Sequence, residues 1–406
     1  MRKESLSSLC KIINGYAFKS TDYTGTGYRV IRITNVQKGI VVDNDPKFIP
    51  EVIADKADSS KLMKNDILIS LTGNVGRVGR IDEQLLPAVL NQRVGLIRIN
   101  TSKLDDKYLF QYLNSDTFEN EAINNSNGVA QLNLSSKWVE KHQIPLPPLD
   151  DQKRIAHLLG KVEGMIAQRK QHLQQLDELL KSVFLEMFGD PVRNEKGWEK
   201  KPLENYMKEF PNNGLYKPQS DYGSGTKIVR IDSFYDGYVQ NIDLLKLVKV
   251  TDDEYERFNV KTNDILINRV NSIEYLGKLG VMPQIKERIV YESNMMRFRL
   301  ETDSILPVFL MFIWRTPFIK AQINNRAKKA VNQASVNQKD VRSIVIVKPP
   351  ITLQKQFAAI VEKVESLKSR YQSSLTNLEN LYGVLSQKAF KGELDLSRVP
   401  MEEETR

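Results

Sequence analysis

The stretches "LPPLDDQKRIAHLL" (Leu146–Leu159) and "KPPITLQKQFAAIV" (Lys348–Val361) each set a Pro-Pro pair ahead of a helical pattern with a Gln near its start. The two glutamines, Gln152 and Gln354, stand 202 residues apart. Other blocks repeat as well. "RVIRITNV" (Arg29–Val36) is answered by "KIVRIDSF" (Lys227–Phe234), and "KNDILIS" (Lys64–Ser70) by "TNDILIN" (Thr262–Asn268), both at an offset of 198. "QLNLSSK" (Gln131–Lys137) is answered by "QASVNQK" (Gln333–Lys339) at 202. An offset that holds over two blocks and then changes by about four residues marks a duplication with a short insertion, and internal repeats set the architecture.

Within each copy the first part reads as mixed α/β. VIRITNV, DILISL and VGLIRI are short β-branched runs bounded by turn residues, and IVRID, DILIN and MMRFRL answer them. One helix is expected over Asp106–Asn120 and one over Leu306–Asn324, each followed by an Asn-rich loop, a short apolar strand and the prolines. The long helices come last. Alternate steps of four and three from Ile155 pass through Leu159, Val162, Ile166, Arg169, Leu173, Leu176, Leu180, Val183 and Met187. The second copy gives Phe357, Val361, Val364, Lys368, Tyr371, Leu375, Leu378, Tyr382, Leu385 and Ala389. A sustained 3–4 repeat is the seam of a left-handed coiled coil. Arg169 and Lys368 interrupt it and are expected to run their charged ends out to water. Asp150 and Thr352 are expected as helix N-caps, and Gly189 and Gly392 follow the helix ends.

The expected fold is α+β (α/β). It has α/β domains over residues 1–149 and 191–350, long helices over 150–190 and 351–393, and a tail over 394–406. Two seams that bury each other require antiparallel helices, which would put the domains at opposite ends of a rod related by a pseudo-two-fold axis.

The 406 residues carry a net charge of +9 with a pI of about 9.2, compatible with a polyanionic partner. A single cysteine, Cys10, excludes a disulfide framework within the chain, and His142, His157 and His172 are read as surface residues rather than ligands. The N-terminus lacks a signal-peptide apolar region, and the longest apolar run, Ile305–Trp314, is too short to span a bilayer. A cytoplasmic protein with no membrane partner is expected. No phosphate-binding loop, dinucleotide fingerprint, amino-methyltransferase motif or nucleophilic triad is present, so no catalytic or metal-ligating residue is assigned. "TGNVGRVG" (Thr72–Gly79) is read as a Gly-rich hairpin turn rather than a phosphate cradle.

Binding features are better represented. The Asn-rich loops are "NNSNGVAQLNLSSK" (Asn124–Lys137) and "NNRAKKAVNQASVNQK" (Asn324–Lys339). Their amides suit phosphate oxygens and adenine edges, and arginine or lysine suits guanine. The loop recurs while its residues differ, as two readers of different sequences would require. The candidate contacts in the first copy are Tyr16, Lys19, Asn74, Arg77, Asn91, Gln92, Arg93, Asn127, Gln131 and Asn133. In the second they are Tyr216, Lys217, Asn268, Arg269, Asn271, Asn294, Arg326, Lys328, Lys329, Asn332 and Gln333.

Two α/β domains, each followed by a Pro-Pro-x-x-x-Gln long helix, resemble the specificity (S, HsdS) subunit of type I restriction-modification systems. The resemblance spans the whole chain and is carried by "IPLPPLDDQKRIAHLL", "DILISLTGNVGRVG" and the closing "AFKGEL". The second helix start lacks the acidic residue usual before its Gln, and "NRVNSIEYLGKLG" stands where a second TGNVGRVG would be expected. The resemblance implies a non-catalytic subunit whose target-recognition domains each read half of an asymmetric bipartite site in the major groove of double-stranded DNA. The helices would set the spacer. Two modification (M) subunits would carry S-adenosylmethionine-dependent adenine methylation, and restriction (R) subunits would add ATP- and Mg-dependent cleavage. This chain would hold no cofactor itself. The rival readings are a DNA-acting enzyme, either a nuclease with its own active site or a fused methyltransferase fragment, and a coiled-coil scaffold with no nucleic-acid role.

Overall fold

The computed structural model describes residues 1–128, 131–235, 237–331 and 333–400. The chain divides into two units. One is Met1–Gln171 with the chain from Gln372 onward, and the other is His172–Tyr371.

The first unit has a six-stranded sheet in the order Cys10–Asn14, Val94–Ile99, Ile67–Ser70, Val78–Arg80, Gly39–Val41, Val36–Gln37. The second has five strands in the order Met207–Asn213, Met295–Leu300, Ile265–Asn268, Leu279–Val281, Gly237–Tyr238. Each unit adds a three-stranded sheet, centred on Tyr28–Ile31 or on Tyr222–Val229. In each, the central strand runs parallel to one neighbour, Ala88–Leu90 or Ile289–Tyr291. A strand near the start of each unit pairs with the one before the prolines: Lys3–Ser5 with Gln143–Pro145, and Glu199–Pro202 with Val345–Lys348. The duplication seen in the residue offsets therefore extends to strand order. The DILIS and DILIN blocks supply the most enclosed strands; all four residues of each are buried, as a strand covered on both faces requires.

The offset stays at 198 through Ser70 and Asn268, is 201 at Val78–Arg80 and Leu279–Val281, and reaches 202 at Gln143 and Val345. Most of the insertion thus lies in one hairpin loop. NRVNSIEYLGKLG holds the place of TGNVGRVG with a different sequence and a longer loop. Gly76 N–H donates to the Ser70 carbonyl at 3.0 Å and Gly277 N–H to the Asn268 carbonyl at 2.8 Å, closing the same hairpin around a longer loop. Both glycines have positive φ, 78° and 70°.

Three expectations are corrected here. Each single helix expected before the Asn-rich loop is two: Asp106–Leu113 and Asp116–Asn124, then Pro307–Trp314 and Pro317–Arg326. Ser115 Oγ caps the second helix of the first pair by accepting from Phe118 N–H, and Pro317 opens its counterpart at a position needing no N–H. The long helices are Leu149–Phe188 and Ile351–Lys391, so Asp150 and Thr352 lie inside the first turn. The carbonyls of Pro148 and Pro350 accept the first helical bonds instead, a role that requires no N–H from proline. His142 is a core residue rather than a surface one. Its Nε2 lies 2.9 Å from the Tyr112 hydroxyl and its ring 4.8 Å from that of Trp138; burial, helped by Lys3, pushes its pKa down to about 4.

Within each unit the long helices pair antiparallel. In the first, Lys170 bonds Glu379 at 3.0 Å, and Ile155 and Leu159 share a core with Ala389 and Phe390. In the second, Lys368 meets Asp177 at 2.8 Å, the rings of His172 and Tyr371 are 5.6 Å apart, and Phe188 packs on Phe357 at 5.3 Å. Ile155, Leu159, Val162, Leu180, Phe357, Val361, Val364 and Leu375 are buried. Ile166, Leu173, Leu176, Leu378 and Leu385 are partly so. Lys368 is not simply solvated: burial works against its charge, but bonds to Asp177 and Glu365 outweigh that and raise its pKa. No helix among the described residues is long and apolar enough to cross a membrane.

Candidate nucleic-acid interface

Strand direction gathers the candidate loops. Asn14 pairs with Gly95 and Ser70 with Val94, so two strands end and one begins at a single sheet edge. The strand ending at Leu90 joins them there: Tyr16 N–H donates to the Leu90 carbonyl at 2.8 Å, and Gly15 N–H to that of Val94 at 3.2 Å. Leu71 N–H donates to the Arg93 carbonyl at 3.1 Å. The Asn-rich loop is tied to the same edge. Thr72 Oγ1 donates to Asn133 Oδ1 at 2.9 Å, Gly73 N–H to the Leu132 carbonyl at 2.9 Å, and Asn127 and Asn133 exchange main-chain bonds. Tyr16, Asn74, Gln92, Arg93, Asn127, Gln131 and Asn133 are exposed along this edge, with Asn91 and Arg77 half-buried beside them. Arg77 Nη1 donates to Gln37 Oε1 at 2.8 Å. Lys19 follows Tyr16 and is also exposed; its main-chain N–H bonds Asp22.

The second unit repeats this edge. Leu215 N–H donates to the Tyr291 carbonyl at 2.8 Å, Arg269 N–H to Asn294 at 2.9 Å, and Val336 N–H to Arg269 at 3.0 Å. Val270–Asn271, Ala334–Ser335 and Lys328–Lys329 form a small ribbon on it. Exposed Asn294, Lys328, Lys329 and Gln333 and half-buried Asn271 come together there, and Tyr216 stands out at 77% exposure. A close main-chain approach explains the repeated Asn-Gly. A Cβ on Gly15 would lie 2.0 Å from the Asn91 carbonyl oxygen, and one on Gly214 2.2 Å from that of Glu292.

Four candidates of the second copy serve the scaffold. Asn268 is 1% exposed, with its amide directed to the Ile231 carbonyl. Arg269 Nη1 holds the Ser293 carbonyl at 3.1 Å. Lys217 is ion-paired with Glu254 at 2.8 Å, and Arg326 bonds Ser343 and the Gln322 carbonyl at its helix end. Asn332 lies outside the described residues. Among the described residues no group of three or more His, Cys, Asp or Glu is placed to hold a metal ion.

Two repeated devices that tie the scaffold together are not among the expectations drawn from the sequence. Gln152 and Gln354 are fully buried. Gln152 Oε1 accepts from Asp105 N–H at 2.8 Å, while Nε2 donates to the carbonyls of Lys103 and Pro147, both at 2.9 Å. Gln354 does the same with Leu306 N–H at 2.9 Å, Ser304 at 3.0 Å and Pro349 at 2.9 Å. Each clamps a long helix to the loop before a domain helix. The second device is a bidentate ion pair at the strand ends opposite the edge. Arg98 grips Asp66, and Arg299 grips Asp264 with 2.6 and 3.0 Å bonds. The repeated Asn-Asp-Ile-Leu block carried that signal.

Known proteins share this organisation. The sequence matches the family model for the type I restriction modification DNA specificity domain over residues 2–178 and again over 195–378. It is 25% identical over 413 residues to the type I restriction enzyme EcoKI specificity subunit of Escherichia coli strain K12, covering 96% of this chain and 88% of that one. It is 27% identical over 422 residues to the EcoBI specificity subunit of Escherichia coli, covering 96% and 85%. A chain solved in work on complex assembly and conformational transition of the type I R-M system superposes with a TM-score of 0.57 at 18% identity, covering 97% of this chain and 98% of that one. The type I restriction-modification S subunit from M. genitalium gives 0.53 at 15%, covering 96% of each. These superpositions bear on the fold alone. With both copies matched and most of its length covered, the chain belongs to the type I restriction modification DNA specificity domain family.

Proposed function

We propose that this chain is the DNA sequence-specificity subunit of a type I restriction-modification complex, each unit reading one half of a bipartite, asymmetric duplex site. The observation that carries it is one sheet edge built twice from the same main-chain bonds but dressed with different side chains. Asn91-Gln92-Arg93 on the first edge corresponds to Glu292-Ser293-Asn294 on the second. Exposed amides and cations on loops and a short ribbon suit base edges in the major groove, where adenine takes Asn or Gln and guanine takes Arg or Lys. The long helices set the spacer and dock two modification subunits, with restriction subunits joining the full assembly. S-adenosylmethionine, ATP and Mg act on those partners, and this chain recognises DNA without catalysing a reaction.

The test is to assemble the chain with its modification subunits and map binding and adenine methylation on a randomised duplex library. A single bipartite site is expected, and exchanging residues 1–149 should change one half of it only. Uniform methylation of all sequences, or an exchange that rewrites both halves, would refute the reading.

A further inference from the structure

The second edge carries a cluster that none of the candidate contacts includes. The Asn268 N–H bond to the Lys278 carbonyl, 3.0 Å, matches that of Ser70 N–H to the Arg77 carbonyl, 2.9 Å, so Lys278 occupies the place of Arg77. Tyr235 likewise occupies the place of Gln37: Gly39 and Gly237, two residues on, pair with Gly79 and Gly280. In the first unit the cation is held by an amide, Arg77 on Gln37. In the second it is held by rings. Lys278 Nζ lies 5.0 Å from the centroid of Tyr235 and 4.5 Å from that of Tyr275, and the rings meet edge-on at 6.1 Å.

The cage is exposed yet rigidly based. Tyr235 is 65% and Tyr275 40% exposed. Beneath them Leu276 is buried, and Trp314 Nε1 donates to the Gly277 carbonyl at 2.7 Å. The loop carrying Tyr235 is fixed to the same edge, since Ile231 N–H donates to Glu292 Oε1 at 2.7 Å. Among the described residues Lys278 has no carboxylate partner. Two tyrosine rings stabilise an ammonium as it loses water, and their hydroxyls add donors. A lysine can meet a guanine edge, but an ammonium is a point charge without arginine's planar fork, and on the rim of the edge a phosphate oxygen suits it from any direction.

We propose that Lys278, caged by Tyr235 and Tyr275, grips a backbone phosphate of the DNA duplex beside the half-site read by the second unit. This rests on the reading of the chain as a DNA specificity subunit. The test measures duplex affinity across a salt series for the complex with modification subunits, comparing wild type with Lys278→Gln. Losing one phosphate contact should reduce the slope of log K against log salt by about 0.9 and weaken binding equally on duplexes varied at each half-site position. Lys278→Arg should restore the slope. Tyr235→Leu, at an exposed position, should weaken binding while keeping the slope. An unchanged slope in Lys278→Gln, or a loss confined to one base of the half-site, would overturn the proposal. Sequence-independent binding by the wild-type complex would overturn the specificity reading instead, and in that case the Lys278→Gln slope still decides the phosphate contact.

Discussion

Replacing Gln152 by leucine tests whether the Pro-Pro-x-x-x-Gln motif is a clamp rather than a helix start. Leucine fills nearly the same volume, so the change removes hydrogen bonds without opening a large cavity. Three main-chain groups lose partners: Asp105 N–H and the carbonyls of Lys103 and Pro147. The bond to Pro147 is buried, and leaving that carbonyl unpaired costs about 2 kcal/mol; the other two groups can rehydrate and cost about 1 kcal/mol each. The expected loss is therefore about 4 kcal/mol, a urea midpoint shift of roughly 1.5–2 M for a unit of this size. Gln354→Leu should cost a similar amount through Leu306, Ser304 and Pro349. Gln152→Glu adds a directional check. Its carboxylate keeps the Asp105 bond but turns an oxygen toward two carbonyls, which favours the protonated acid and raises its pKa. That variant should gain on wild type as pH falls. A loss below 1 kcal/mol in both leucine variants, with no pH response in the glutamate one, would refute the clamp.

Two more outcomes follow from the same packing. Gly15→Ala forces a Cβ against the Asn91 carbonyl, so the edge must shift; a loss of about 1–3 kcal/mol in a thermal melt and weaker DNA binding by the assembled complex are expected, and a variant that melts and binds like wild type would contradict the close approach. His142, with its pKa near 4, stays neutral when folded while an unfolded histidine takes up a proton below about 6.5, so stability is fully present above 6.5 and falls as pH drops toward 4, by up to about 3 kcal/mol. His142→Gln should flatten that acid limb of the urea midpoint against pH, and an identical limb would rule the histidine out.

The repeat, the alternation of short strands with helices and the 3–4 seam were legible because each is periodic. The seam residues are buried or half-buried as their spacing implies. What was not legible depends on the partner of each side chain. Nothing in the sequence distinguishes exposed Asn294 from buried Asn268, since both are asparagines in polar stretches at strand ends; one faces water and the other a main-chain carbonyl. Lys217 and Arg326 likewise read as free cations, but Glu254, which pairs with Lys217 at 2.8 Å, lies 37 residues along the chain, and Ser343, which holds the Arg326 guanidinium, lies 17 along it. Tyr235 and Tyr275 are not legible because isolated tyrosines carry no spacing signal; only the fold brings them onto one lysine.

The division between kept and changed positions gives the duplication its physical sense. Residues retained in both copies bind main chain or buried charge: Gln152 and Gln354, Asp66 and Asp264, Gly15 and Gly214. Each sits where any other side chain leaves a buried group unpaired or collides with backbone, at a cost of a few kcal/mol against a total stability not much larger. Residues of the sheet edge differ between the copies at positions where substitution costs the fold little, because water replaces lost partners. Arg77 on Gln37 has become Lys278 between two tyrosines without disturbing the hairpin bond beneath either. The three-residue lengthening of the second hairpin loop fits the same rule, since loop closure grows only slowly with length. A scaffold that keeps its constraints in buried main-chain bonds can exchange the side chains of its edge, which on the proposed function lets two copies read two different half-sites.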